Sequence, residues 1–169
     1  MPIAYDFSEL TIFIVEENSF QRELLSDLLK QFKPKRIYTE AKCDIALERI
    51  SEIMPDIVFA SWTPMSDIIH LFKSLRFNPN ENLSEIPIIA IPSYTEKKYV
   101  IAARDLGMSE YLALPLSAKS VYGRICKLIE KPRQFVRSEI YCGPDRRVKK
   151  LPYEGEERRK ESEELENAG

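Results

Sequence analysis

Short apolar runs recur along the chain, and between them lie segments whose apolar residues fall three and four positions apart. The runs at 11–15, 36–39, 56–60, 87–91 and 110–113 predict strands. Several lack polar alternation, as strands covered on both faces should. Helical spacing i, i+3, i+4, i+7 occurs at Leu25, Leu28, Leu29 and Phe32, opened by Asn18 with Gln21 three residues on, a start resembling a capping box. Cys43, Ala46, Leu47 and Ile50 repeat the spacing, as do Ile68, Leu71, Phe72 and Leu75. Tyr99, Ala102, Ala103 and Leu106 follow with Gly107 as the expected stop, and Val121, Ile125, Leu128 and Ile129 mark a fifth helix. Successive strand–helix units predict a doubly wound parallel α/β sheet with right-handed crossovers. In such a sheet ligands meet the loops at the carboxyl ends of the strands. The residues there are Glu16 and Glu17, Ser61, Pro92 and Ser93, and Leu114 with Pro115.

Composition sets the extent of this domain. With 169 residues and 44% hydrophobic side chains, the chain can bury one core and carry a tail. Its character changes after Glu130. Residues 1–130 read as one domain and 131–150 as a docking arm that mixes basic residues with Phe135, Val136, Ile140 and Tyr141. Residues 151–169 read as a charged tail with almost nothing to bury, expected to be disordered. A net charge of −2 gives no overall electrostatic reason for nucleic-acid or membrane binding. Three cysteines at 43, 126 and 142 have neither the density of a disulfide scaffold nor the paired spacing of a zinc site, so a reducing, cytoplasmic setting is expected. Residues 1–10 lack the basic start and apolar stretch of a secretory signal, and no segment stays apolar long enough to cross a bilayer.

The stretches IVEEN, MPDIVFASWTPMSD, IPIIAIPSY and AARDLGMSEYLALPLS, in this order and at this spacing, resemble the receiver domain of two-component response regulators over residues 9–130. The arm segments PRQFV and YCGPDRR resemble a C-terminal extension found on some proteobacterial receivers. The resemblance implies a flavodoxin-like (βα)5 fold with strand order 2-1-3-4-5. It also implies a phosphate-accepting site: an acidic pair that holds magnesium, an aspartate nucleophile, a hydroxyl residue and a lysine that contacts the phosphoryl group. Matched by position, Glu16 and Glu17 stand at the acidic pair, Ser61 at the nucleophile, Pro92 at the hydroxyl residue and Leu114 at the lysine. Pro115 keeps the proline that follows, and Tyr111 stands at the family's switch aromatic. Three essential functional groups are therefore absent. In addition, the second acid is one methylene longer than the usual aspartate, and the loop after Ser61 is one residue shorter than the family pattern.

Phosphoryl transfer depends on positioning and on cations that stabilise developing charge, and Leu114 offers no cation. A serine hydroxyl is un-ionised at neutral pH, and the sole histidine, His70, belongs to the third helix rather than to the neighbourhood of Ser61. Ser93, one residue beyond Pro92, supplies a hydroxyl but restores neither carboxylate nor lysine. Tyr111 faces a proline with no hydroxyl to draw it inward, so a phosphate-linked rotamer switch is not expected. Glu16 and Glu17 read as a solvated acidic loop, the alternative being a weak magnesium site, and no cofactor or metal is expected. Leu114 reads as extending the core into the space of the missing lysine. For Trp62, packing over the altered loop and anchoring of a partner both stay open.

These features point to a non-phosphorylatable pseudo-receiver, not an enzyme, acting as a stand-alone adaptor in bacterial two-component signalling. Its expected partner is another signalling protein: a histidine kinase, a response regulator or a downstream target, with a homodimer also open. Receivers commonly dock through the face of the fourth helix, fifth strand and fifth helix, which implies Lys98, Tyr99, Tyr111, Lys119 and Tyr122 as contacts. The arm offers a second surface through Arg133, Arg137, Arg146 and Arg147 with Phe135 and Tyr141. Folding back on the domain is favoured there, because the apolar residues need burial. Three alternatives come from other classes. An active receiver would use an acceptor such as Asp67. An enzyme on this scaffold would need a phosphate-cradling loop, and with five glycines no strand end is glycine-rich. Nucleic-acid binding would run through residues 133–150 and be steeply salt-dependent.

Overall fold

Strand β1 (Thr11–Val15) lies between β2 (Arg36–Glu40) and β3 (Ile57–Trp62), with β4 (Ile88–Pro92) and β5 (Glu110–Tyr111) beyond β3, in a parallel sheet of order β2-β1-β3-β4-β5. This is the order expected of the flavodoxin-like fold. The computed structural model describes residues 4–64, 66–94 and 96–147. The expected disordered tail, 151–169, and the end of the arm, 148–150, lie outside the described residues.

Period-two geometry divides the strand side chains between two cores. Phe13, Val15, Val58, Ala60, Ile88 and Ala90 pack beneath α2 (Cys43–Ile53), α3 (Ser66–Arg76) and α5 (Lys97–Asp105). Ile12, Ile14, Ile57, Phe59, Ile89 and Ile91 pack beneath α1 (Ser19–Lys30) and α6 (Ala118–Glu130). Residues such as Phe13, Ile14 and Phe59 are fully buried, and each such burial contributes about 1.5–3 kcal/mol. The leucines predicted for the first helix divide as the spacing requires: Leu25 and Leu29 are buried, and Leu28 and Phe32 flank them.

Local chemistry explains the helix ends. The Asn18 side chain accepts from the Gln21 amide at 3.0 Å and starts α1. Helix α6 opens with a capping box in which Ser117 and Ser120 satisfy each other's amides, a signal the apolar spacing did not reveal. Gly107, at φ 94°, ends α5 in the left-handed region that favours glycine.

Three details differ from the expected elements. Strand β3 runs on through Ser61 and Trp62, because Trp62 pairs with Pro92 and its carbonyl accepts from Ser93 at 3.0 Å. Strand β5 is shorter than 110–113: Leu112 still donates to Ala90, but the chain then turns away toward Pro115, which has no amide proton. An extra helical turn, α4 (Glu81–Ser84), stands between α3 and β4, capped by Asn80, whose side chain accepts from Asn82. The fourth and fifth expected helices are therefore α5 and α6.

After α6 the chain forms an antiparallel hairpin of β6 (Phe135–Arg137) and β7 (Cys142–Pro144). It packs on its own domain at the end of the sheet opposite the β1–α1 and β3–α3 loops. Among the described residues no helix is long and apolar enough to cross a membrane.

Candidate functional site

The register Val15↔Ala60 sets Glu16 beside Ser61, and strand alternation sends both side chains to the same side of the sheet. Ser61 stands beside the Glu16 carboxylate, and the Asn18 amide donates to Glu16 Oε1 at 2.8 Å. Glu16 is only 7% exposed. Burial raises its pKa, partly countered by the Asn18 amide, by the adjacent Ser61 and by the nearby Arg22 charge. The expectation of a solvated acidic loop therefore holds for Glu17, which is exposed, and is corrected for Glu16. The difference arises because Glu16 continues the inward parity of Ile12 and Ile14.

Arg22, which the apolar spacing passed over, reaches back from the first turns of α1. Its Nη1 donates to the main-chain carbonyls of Glu16 at 2.7 Å and Glu17 at 3.2 Å. Its signal in the sequence was a lone cation six residues after Glu16. Among the described residues no cluster of three or more histidine, cysteine or acidic side chains is arranged to hold a metal. The two acids with Ser61 offer carboxylate and hydroxyl oxygens, one carboxylate short of the set that the phosphate-accepting site implies.

Pro92 is buried at the end of β4 on the Trp62 side of the sheet. Leu114 is 38% exposed, so it does not extend the core into a lysine-shaped space as expected. The loop after β5 turns outward there, and Leu116 rather than Leu114 packs against the α1–α6 core. Tyr111 is half-buried against the α5-side core. Ser61, Pro92 and Leu114 thus lie at carboxyl ends of neighbouring strands, as the matched positions require. Chemically the group offers one un-ionised hydroxyl beside a buried acid. His70 lies away on α3, near Ser74.

Trp62 resolves toward packing. It is 1% exposed, its ring lies 5.6 Å from Phe72, and its Nε1 donates to the Tyr99 carbonyl at 2.9 Å. This bond joins β3 to the first turn of α5.

The expected partner contacts separate into two groups. Lys98 and Lys119 are exposed and Tyr99 is half-buried, with Lys98 Nζ 4.8 Å from the Tyr99 ring centroid. Lys119 borders an open groove of about 410 Å³ formed with Leu112, Ala113, Ser117, Ser120, Gly123 and Arg124. Tyr122 points the other way: it packs on Phe7 and Phe32, and its hydroxyl accepts from the Tyr5 amide. Position 122 falls on the side of α6 that faces α1, which corrects its placement on the docking face.

Most of the arm residues engage the chain itself. Phe135 lies over the Arg76 guanidinium at 5.1 Å. Tyr141 is buried, and its hydroxyl donates to the Pro144 carbonyl at 2.8 Å. Arg146 pairs with Asp105 at 2.6 Å and covers the Tyr141 ring. Arg133 donates to the Ser109 carbonyl and approaches Glu110 at 3.5 Å, and Arg137 pairs with Glu85 at 3.1 Å. Glu110, buried at the sheet edge, also binds Arg124 and Lys127. Arg147 is exposed, and its amide donates to Asp145 at 3.0 Å.

The buried hub under this hairpin is Arg76, 1% exposed at the end of α3. Its Nε donates to Gly107 at 2.8 Å, and Nη1 donates to the carbonyls of Ser84 and Ile86, each at 2.7 Å. Burial pulls its pKa down to about 10, so the guanidinium stays charged at neutral pH. The sequence did carry its signal. Position 76 is four residues past Phe72 and falls on the buried stripe of α3.

No protein-family model matches the chain. It is 24% identical over 123 residues to the chemotaxis protein CheY-3 of Vibrio cholerae, covering 72% of this chain and 93% of that protein. It is 27% identical over 134 residues to the phosphate regulon transcriptional regulatory protein PhoB of Escherichia coli, covering 76% of this chain and 56% of that regulator. Its fold matches the signal receiver domain of a histidine kinase from Syntrophus aciditrophicus at a TM-score of 0.62 and 20% identity, covering 77% of this chain and 98% of that one. The chain has the flavodoxin-like receiver fold, and its sequence relatives and structural neighbours are proteins with CheY-like receiver domains.

Proposed function

We propose that the protein is a pseudo-receiver: a receiver-type domain in two-component signalling that does not accept phosphate and works by docking another signalling protein. The observation that carries this reading is Ser61, a hydroxyl side chain standing beside the buried Glu16 at the position matched to the acceptor. A carboxylate can form an acyl phosphate, whereas a serine needs an adjacent base and a stabilised leaving group. The cation that would stabilise transfer is replaced by the exposed Leu114, and Pro92 cannot donate a hydrogen bond to a phosphoryl oxygen. Arg22, bonded to main-chain carbonyls, holds the acidic loop in shape without contributing a lysine-like contact.

Docking is assigned to the face of α5, β5 and α6, where Lys98, Tyr99, Tyr111 and Lys119 combine cationic heads with aromatic surface. The partner is a histidine kinase, a response regulator or a downstream target, and a second copy of this chain is one outcome of a test. A cytoplasmic setting and the absence of a required metal belong to the same proposal.

The test is exposure of the full chain to acetyl phosphate with magnesium, read by intact mass and by peptide mapping. No gain of a phosphoryl group is expected. A covalent phosphoryl adduct on Ser61 overturns the proposal, and an adduct lost in Asp67→Asn identifies an active receiver with a displaced acceptor.

A further inference from the structure

Helix α5 is poorly supported by its own sequence. It spans nine residues, its N-cap Glu96 makes no side-chain capping bond, and Lys97 and Lys98 put positive charge at the positive end of the helix dipole. From the sheet, Trp62 reaches that end and donates to the Tyr99 carbonyl. Strand β5, which follows, is two residues long and stands at the edge of the sheet. Isolated elements of this length are marginal in water, so tertiary contacts must hold them.

At the other end of α5 those contacts come from the hairpin. Arg146 pairs with Asp105 in the last turn, Arg133 bonds the Ser109 carbonyl, and the Cys142–Pro144 strand lies directly on Gly107. The backbone approach is close enough to exclude side chains. A β-carbon on Gly107 would lie 2.6 Å from the Cys142 carbonyl, and one on Gly143 would lie 2.8 Å from Gly107 Cα. From beneath, Arg76 binds the Gly107 carbonyl and reaches the Ser109 hydroxyl at 3.4 Å. The α5–β5 connection is thus held between the hairpin above and the buried guanidinium below.

We propose that the β6–β7 hairpin is a built-in clamp that fixes the α5–β5 connection, so that lifting it frees α5 and β5 while the rest of the sheet stays folded. The two glycines are its keystone, since they alone allow the two backbones to meet. Helix α5 and strand β5 carry Lys98, Tyr99 and Tyr111, so the state of the clamp sets the geometry of that face. The clamp itself stands whether or not a partner uses the face and whether or not Ser61 takes phosphate.

Amide hydrogen exchange on the full chain and on Gly143→Ala tests the proposal. The added methyl would sit 2.7 Å from Tyr141 Oη and 2.8 Å from Gly107 Cα, which forces the strands apart. Opening of the clamp is read at the Asp145 amide, which donates to Gln134, and release of the connection at the amides of Leu106, Gly107, Ser109 and Leu112. All are expected to exchange roughly tenfold faster or more, with β1 and β2 unchanged, as a local rather than a global opening requires. Unchanged exchange at α5 and β5 with an open hairpin overturns the proposal. So does a hairpin that stays protected, because the glycine contact is then not what holds it, and so does equal acceleration throughout the domain. Arg146→Ala, which adds no bulk, carries the same test if Gly143→Ala does not fold. It is expected to quicken exchange at Leu106 and Gly107 in the same direction, and unchanged exchange there overturns the proposal.

Discussion

Replacing Arg76 by methionine removes a buried cation and leaves its acceptors in place. Three main-chain carbonyls, those of Ser84, Ile86 and Gly107, lose a donor in a region closed to water by Phe135 and the hairpin. Leaving each buried acceptor unpaired costs about 1–3 kcal/mol. Against this stands the recovered cost of desolvating the guanidinium, which amounts to several kcal/mol for a buried ion. Methionine fills much of the same volume, so no large cavity is added. With three such acceptors at about 3–9 kcal/mol together and several kcal/mol recovered, the net expectation is a loss of about 2–4 kcal/mol. Urea unfolding followed by the fluorescence of Trp62, the sole tryptophan, reads the change directly, because the ring packs on Phe72 of the same helix. Arg76→Lys, with one charge but no planar fork, should fall between the two. A methionine variant within about 0.5 kcal/mol of the parent, the size of an ordinary surface substitution, would refute the role given to these hydrogen bonds.

Glu16→Gln should stabilise the protein at neutral pH. A folded pKa raised by burial means that the group favours the fold most when protonated, and that this contribution falls away as pH rises through the folded pKa. The gain should therefore vanish below the ordinary glutamate range, and an equal gain at both pH values in urea titrations would contradict the assignment. Trp62→Phe loses the bond to the Tyr99 carbonyl and part of a buried ring, an expected cost of about 1–3 kcal/mol in thermal unfolding. A neutral result would mean that β3 and α5 are not joined through this side chain. The Cys43 thiol is pushed up to about 11, chiefly by burial and then by the charges of Asp67, Asp44 and Glu17. Its alkylation by iodoacetamide at neutral pH should be far slower than that of a free thiol, and a rate equal to a model thiol's would show that the environment is wrongly drawn.

The strand runs, the five amphipathic stripes and the α1 cap were legible because they follow local periodicities that repeat over many residues. The positions of Glu16, Ser61, Pro92 and Leu114 were legible as well, since each follows directly on an apolar run. What those side chains do there was less so. Glu16 looked like a loop acid, and only its register with Ala60 and Ser61 turned it inward. Leu114 looked like core, yet the chain turns outward before it reaches that position. Tyr122 was assigned to one side of α6 by analogy, but its angular position around the helix places it against Phe7 and Phe32.

Residue order alone determined the alternating elements and which side chains, Glu16, Ser61, Pro92 and Leu114, stand at the carboxyl ends of the strands, because these depend on residue type and spacing over short stretches. Tertiary structure decided the pairing of arm arginines with Glu110, Glu85 and Asp105 and the contact of Gly107 with Gly143. Those partners lie dozens of residues apart, and no local pattern encodes which backbone will close over which side chain.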